Sequence, residues 1–146
     1  MRVLLQRVSS AAVRVDAETV GAIGRGLLLL VGFGRGDDAR LLAPMADKVT
    51  GLRVFPDPGG RLQHSVLDIQ GGVLAVPQFT LYGSTQRGRR PDFAAALEPA
   101  AASGLFARFV DALAATGLDK LESGRFGAQM SVQLVNDGPV TLLLER

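Results

Sequence analysis

The residues with chemical capacity gather in two short stretches. Val76-Pro77-Gln78-Phe79-Thr80-Leu81-Tyr82-Gly83 sets an amide and a hydroxyl into an otherwise apolar run that closes on glycine. Asn136-Asp137-Gly138-Pro139-Val140-Thr141 mixes polar side chains with two residues of special backbone. Neither stretch holds a nucleophile beside a base. The chain has no cysteine, which excludes a disulfide framework, thiolate catalysis and a cysteine-based zinc site, and its one histidine, His64, has no motif around it and reads as solvent-facing or packing. A Ser-His-Asp triad, a zinc-protease helix and a Walker loop each leave a trace that is missing here. Gly32-Phe33-Gly34-Arg35-Gly36 lacks the Gly-Lys-Ser/Thr that would make it a phosphate loop, and reads as a turn. Any hydrolysis must therefore draw on main-chain dipoles, hydroxyls, water or the substrate itself, which suffices where the substrate is already activated.

The elements that must position these stretches follow from periodicity. A chain of 146 residues fits one domain, residues 1–146, able to bury roughly 70% of its extended surface. At 47% hydrophobic and 21% charged residues it is too apolar to stay disordered. Arg2 to Val8 and Ala12 to Asp16 alternate as strands and are predicted to pair through a Ser9-Ser10 turn. Thr19 to Ile23 and Gly26 to Phe33 are predicted to follow as strands divided by a tight Gly24-Arg25 turn, with glycine at positive φ. Asp38 is a good N-cap, Leu41, Leu42, Met45 and Val49 recur at helical spacing, and Pro44 moves the helix start towards Ala43.

A short strand, Arg53 to Phe55, precedes the Pro56 to Gly60 turn. A long strand is predicted from Val73 to Tyr82, at a sheet edge or bulged, because Pro77 cannot donate to a ladder. Gly83 to Pro91 is too polar and glycine-punctuated to be buried. A second helix starts at Pro99, carries the stripe Leu105, Phe106, Phe109, Val110 and Leu113, and stops at Gly117. Residues 130 to 144 read as a terminal hairpin turned at Asp137-Gly138. The order is strand-rich with two helices inserted, an α+β arrangement built on antiparallel sheets.

Net charge is +2, yet all the basic residues except Lys48 and Lys120 are arginine, the side chain best suited to bidentate phosphate contacts. The longest apolar run, Leu27 to Val31, is too short to span a bilayer, which predicts a soluble, cytoplasmic protein with no membrane partner. Taken singly, the two chemical stretches have plain readings. Gln78 and Thr80 serve equally well as cross-strand hydrogen bonders on a solvated face, and Gly138-Pro139 as a hairpin turn.

Together, Gln78-Phe79-Thr80-Leu81 and Asn136-Asp137-Gly138-Pro139-Val140-Thr141 closely resemble the two signature motifs of the D-aminoacyl-tRNA deacylase (D-tyrosyl-tRNA(Tyr) deacylase) family. The resemblance runs end to end, since Gln6-Arg7-Val8, Gly24 to Gly26, the Arg87 to Pro91 loop and Gly124-Arg125-Phe126 occur in the family's order. It implies mixed and antiparallel sheets forming a barrel-like core with two main helices packed on it. It also implies a homodimer with active sites at the dimer interface, hydrolysing the ester of D-aminoacyl-tRNA with no metal or organic cofactor.

By the same resemblance, Gln78, Phe79 and Thr80 form the catalytic group, the backbone amides around Phe79 and Thr80 stabilising the oxyanion. Gly138 and Pro139, joined by a cis peptide and reaching into the partner's pocket, read chirality with Arg7 and Met130. Their carbonyls are implied to capture the substrate's α-ammonium and to fill the space an L side chain would need. Glycine has no side chain to exclude, so glycyl-tRNA, including glycine mischarged on tRNA-Ala, is an expected substrate. Arg35, Arg87, Arg89 and Arg90 are candidate contacts to the acceptor end of the tRNA.

Most members have serine where this chain has Pro77, which removes a hydroxyl and an amide donor. A branch of relaxed chirality, acting on L-alanine mischarged to a threonine tRNA, shares such a proline but uses a trans Gly-Pro. Arg7 and the Asn136-Asp137-Gly138-Pro139 order look like the main bacterial branch, which implies D-specificity. The alternatives are that relaxed-chirality deacylase and a non-catalytic dimer binding RNA or a small ligand in the same groove.

Overall fold

Arg2–Val15 form one strand, β1, and its burial pattern explains much of the molecule. Val3 and Leu5 alternate inward, then Val8, Ala11 and Val13 do so after a change of phase. The hairpin predicted at Ser9-Ser10 does not form, because β8 (Ser131–Glu145) pairs antiparallel with β1 from Arg2 to Arg14 and holds both halves in line. The chain turns instead at Asp16, φ +52°, a conformation its short polar side chain tolerates. β2 (Glu18–Ile23) and β3 (Gly26–Gly32) then run back along β1, in one register from Gly21 onward after a shift between Val13 and Arg14, with Val13 opposite Gly21 and Val8 opposite Gly26. Gly24-Arg25 is therefore a break in a single return path rather than a tight turn, and Gly24 has no positive φ.

The same correction applies at the C-terminal end. β8 is one strand and not a hairpin, with a wide bulge in which Gln6 pairs with Thr141 and Val8 with Asn136. Asn136 spans the bulge by accepting from the Val140 amide at 2.9 Å and donating to the Thr141 hydroxyl at 2.8 Å. The bulge at 137–140, the serines of β1 and the Gly24-Arg25 break thus lie side by side, forming one crease across three adjacent strand paths.

Asp38 caps a short 3-10 turn, Ala39–Leu41, and α1 (Leu42–Gly51) follows with Pro44 in its first turn, where no amide is needed. β4 (Phe55–Pro56) and β5 (Leu62–His64) make a small antiparallel pair, with His64 opposite Phe55. β6 (Gly72–Pro77) lies parallel to β3, and β7 (Lys120–Ser123) parallel to β6. Between them α2 (Pro99–Ala114) is capped by the Glu98 carboxylate, which accepts from the Ala100 and Ala101 amides and is held below the usual carboxylate range by them. Gly117, φ +87°, ends that segment.

The computed structural model describes residues 1–146. The sheet order is β2-β1-β3-β6-β7, with β8 on β1. A Cβ on Gly21 of β2 would stand 3.3 Å from the Ser123 carbonyl of β7, so the sheet curls until its ends nearly meet. The larger apolar cluster joins the sheet to both helices through Met45, Val49, Phe106, Phe109 and Leu113. A smaller one, including Val8, Val13, Ile23, Leu28, Leu74 and Val76, fills the curl. The α+β class with a barrel-like sheet and two packed helices is as expected. No helix is long and apolar enough to cross a membrane.

Candidate active site

The strand predicted to reach Tyr82 stops at Pro77, and Phe79–Tyr82 wind into a 3-10 turn. Proline ends the ladder for want of an amide, but it does not mark an edge. β6 is an inner strand, and Pro77 is tolerated because β7 pairs with β6 only as far as Ala75. The Gln78 amide donates to the Val31 carbonyl at 2.7 Å, laying the turn across the end of β3. Only glycine fits beneath it, since a Cβ on Gly32 would stand 2.8 Å from the Gln78 carbonyl.

In this turn Leu81 donates to the Gln78 carbonyl and Gly83 to that of Thr80. The first two amides, those of Phe79 and Thr80, donate to nothing in the protein, as expected for the opening residues of a helical turn. The Gln78 side-chain amide donates to the Thr80 hydroxyl, whose own proton remains available. Behind the turn, the Arg2 guanidinium donates to the Leu81 carbonyl at 2.8 Å and stacks 4.6 Å from the centre of the Tyr82 ring. The Tyr82 phenol donates to Asp37 at 3.3 Å. Burial, reinforced by the Asp37 charge, pushes that phenol up to about 12. Asp37 in turn is paired with the Met1 α-ammonium at 2.7 Å and accepts from the Gly34 amide.

Beside the turn opens a mostly apolar cavity of about 920 Å³. Val76, Pro77, Gln78 and Phe79 form one wall, α2 and the segment before it a second, and Phe126, Met130 and Val132 a third. Met130 reaches Pro77 across Gly124, where a Cβ would stand 2.9 Å from the Met130 sulfur. Phe79 is 55% exposed and meets Phe93 edge to face, 5.1 Å between ring centres. Phe93, Leu97 and Glu98 were not anticipated as site residues. Glu98-Pro99 carries a cap signal for a helix, whereas Phe93 has no local signature.

Arg7, Gly138 and Pro139 do not line this cavity. Within one chain the two chemical stretches stay apart, each on its own part of the sheet. Arg7 is buried, with its guanidinium donating to the Val54 carbonyl at 2.6 Å and the Asp137 carbonyl at 2.8 Å, and lying 3.5 Å from the Asp137 carboxylate. It acts as an anchor under the β8 bulge. The Gly138-Pro139 peptide is cis, as the resemblance implied, and both residues are exposed. Gly138 has φ +135°, and a Cβ there would stand 2.8 Å from the Arg7 guanidinium.

Arg35 stands at the cavity rim, exposed and without an ion pair. Arg87, Arg89 and Arg90 project from a loop whose base is closed by reciprocal backbone bonds between Ser84 and Asp92, away from the cavity. His64 lies in β5, outside the site. No three His, Asp or Glu side chains gather as a metal-binding cluster. The chemical offering is thus two free amides, a hydroxyl held by an amide, and an apolar chamber beside them.

The model of the D-Tyr-tRNA(Tyr) deacylase family matches residues 4–145. A D-aminoacyl-tRNA deacylase of Exiguobacterium sp. is 54% identical over 146 residues, covering 100% of this chain and 99% of that one. One of Thermotoga petrophila is 53% identical, covering 99% and 97%. Among solved structures, the c-Myc DNA Unwinding Element Binding Protein superposes with a TM-score of 0.94 at 40% identity, covering 100% and 99%. A probable eukaryotic D-amino acid tRNA deacylase superposes at 0.84 with 21% identity, covering 98% and 97%, a likeness of fold.

Proposed function

Because the chain belongs to the D-Tyr-tRNA(Tyr) deacylase family, we propose that its cavity receives the ester of a D-aminoacyl-tRNA and that the backbone of the Phe79–Tyr82 turn drives hydrolysis. The protein is a deacylase, a hydrolase of aminoacyl-tRNA esters. The observation that carries the mechanism is the pair of unpartnered amides at Phe79 and Thr80 beside the cavity. As the tetrahedral intermediate forms, its oxyanion accepts from these amides, and one such donor lowers the barrier by about 3 kcal/mol. The Thr80 hydroxyl accepts from Gln78 and has no base beside it, so it orients water or the terminal ribose rather than attacking. The ester's own α-ammonium and neighbouring ribose hydroxyl supply activation, and the route draws on no metal or organic cofactor.

Chirality is read in a homodimer. β8 pairs with β1 alone and exposes Val135, Leu142 and Leu143 on either side of the bulge that carries Gly138 and Pro139. A second copy packed along the free edge of β8 buries apolar surface there and brings its own Gly138-Pro139 pair to this chain's cavity. The Gly138 and Pro139 carbonyls then take the α-ammonium and fill the space of an L side chain, with Met130 on the opposite wall and Arg7 setting the bulge. Glycine has nothing to exclude, so glycyl-tRNA, including glycine on tRNA-Ala, is also cleaved. Arg35, Arg87, Arg89 and Arg90 contact the acceptor end.

Purified protein is incubated with D-Tyr-tRNA and L-Tyr-tRNA and ester loss is followed against buffer. D-ester cleavage with survival of the L-ester is expected. Equal cleavage of both removes the chirality reading, and no cleavage removes the catalytic one.

A further inference from the structure

A second hollow, of about 700 Å³, lies beside the main cavity and is lined mostly by polar residues, whereas most of those lining the first are hydrophobic. The two share Arg35. A thin ridge separates them. Ala95 faces the second hollow and Ala96 the first, while the Arg35 amide holds the ridge by donating to the Ala95 carbonyl at 3.0 Å. The Phe93 ring on the first side packs against Gly83 on the second, where a Cβ would stand 2.9 Å from it.

The chemistry of the second hollow is specific in sign. No carboxylate lines it. Of the acids close to its wall, Asp37 is paired with the Met1 α-ammonium and Glu145 with Arg2, each at 2.7 Å. Asp92, bonded through its backbone to Ser84, has no ion pair and accepts from the Ala94 amide at 2.8 Å. The Arg35 guanidinium has neither an ion pair nor a hydrogen bond. Ser84, Thr85 and Gln86 line the hollow with side chains that make no hydrogen bond in the protein, so their donors and acceptors are unspent. An unpaired guanidinium next to free hydroxyls and an amide suits a phosphodiester joined to a ribose and a base edge.

We propose that this hollow seats the nucleotide preceding the aminoacylated terminal adenosine, with Arg35 on the ridge gripping the phosphodiester that crosses from one cavity to the other. The inference rests on the deacylase reading and deepens it. The substrate is a single-stranded RNA end at least two nucleotides long, threaded over the ridge, and the grip on that phosphate positions the ester in the apolar cavity. Ser84, Thr85 and Gln86 read the ribose and base of the penultimate nucleotide.

The test uses chemically prepared D-tyrosyl esters of adenosine, cytidylyl-adenosine and cytidylyl-cytidylyl-adenosine, alongside D-Tyr-tRNA, and reads kcat/KM on the full-length protein. A charged hydrogen bond gained on adding the first phosphodiester raises kcat/KM about 10-fold or more from adenosine to the dinucleotide, and added salt shrinks that gain. Arg35→Gln, and separately the double variant Thr85→Ala with Gln86→Ala, are each expected to reduce the dinucleotide-to-adenosine ratio to about twofold or less. The ratio is internal to each protein, so partial loss of folded material leaves it readable. A wild-type ratio within twofold, or variants that retain the wild-type ratio, overturns the subsite. If D-Tyr-tRNA is cleaved but none of the short esters is, the subsite is likewise overturned. If neither D-Tyr-tRNA nor any ester is cleaved, the deacylase reading itself has failed.

Discussion

Replacing Arg7 by alanine tests the anchoring of the β8 bulge. Its guanidinium makes two hydrogen bonds to main-chain carbonyls, at 2.6 Å to Val54 and 2.8 Å to Asp137, from a side chain that is 8% exposed. Hydrogen bonds to a charged donor contribute about 1.5–3 kcal/mol each. Asp137 has a side chain 51% exposed, so water can reach its carbonyl after truncation, while that of Val54 stays buried. The lower end of the range applies, a loss of about 3 kcal/mol, a large part of a typical domain's 5–15 kcal/mol. With a urea slope of about 2 kcal/mol/M, the midpoint falls by roughly 1.5 M. Protein concentration must be held fixed, because the proposed homodimer would shift the midpoint by mass action. Arg7→Lys keeps the charge but reaches one carbonyl at a time, and should fall between the two. Below the transition, Arg7→Ala should hydrolyse D-Tyr-tRNA slowly and lose discrimination against the L-ester. A midpoint within about 0.5 M of wild type, or full discrimination in a folded variant, would refute the anchoring argument.

Three further outcomes follow from the geometry. Gly138→Ala places a Cβ 2.8 Å from the Arg7 guanidinium at φ +135° and should cost about 1–3 kcal/mol in urea unfolding, with a larger fractional loss of deacylation than of folded protein. Thr80→Ala removes one neutral hydrogen-bonding group and leaves both amides, so kcat/KM should fall only about 10-fold, against 10⁴-fold or more for a nucleophile; an acyl-Thr80 adduct seen by mass spectrometry would contradict this. Glu98→Gln should lower Tm at neutral pH, since the α2 amides hold the carboxylate below its ordinary 4.5. Because the folded value is the lower one, the wild-type advantage is complete above 4.5 and is lost as pH falls through the folded value, so a Tm gap that persists in strong acid would show another cause.

Local pattern alone determined the helices, the α+β class and the two stretches that matter. An N-cap at Asp38, Pro99 at a helix start and the stripe from Leu105 to Leu113 are properties of neighbouring residues, and so are the motifs that carry the family resemblance. Ser9-Ser10, Gly24-Arg25 and Asp137-Gly138 have equally clear turn chemistry, yet none reverses the chain. Each lies in the crease where the strand paths of β1, β2–β3 and β8 bend together, and the ladder on either side keeps the direction. Whether a turn signal becomes a hairpin or a bulge depends on the partner across the sheet, which lies up to about 130 residues away, as between Arg7 and Asp137. Likewise, Pro77 suggested an edge strand only because the short reach of β7 is invisible locally. The separation of Gly138-Pro139 from the cavity, and the ridge that gives Arg35 two neighbouring hollows, exist only once distant segments have packed.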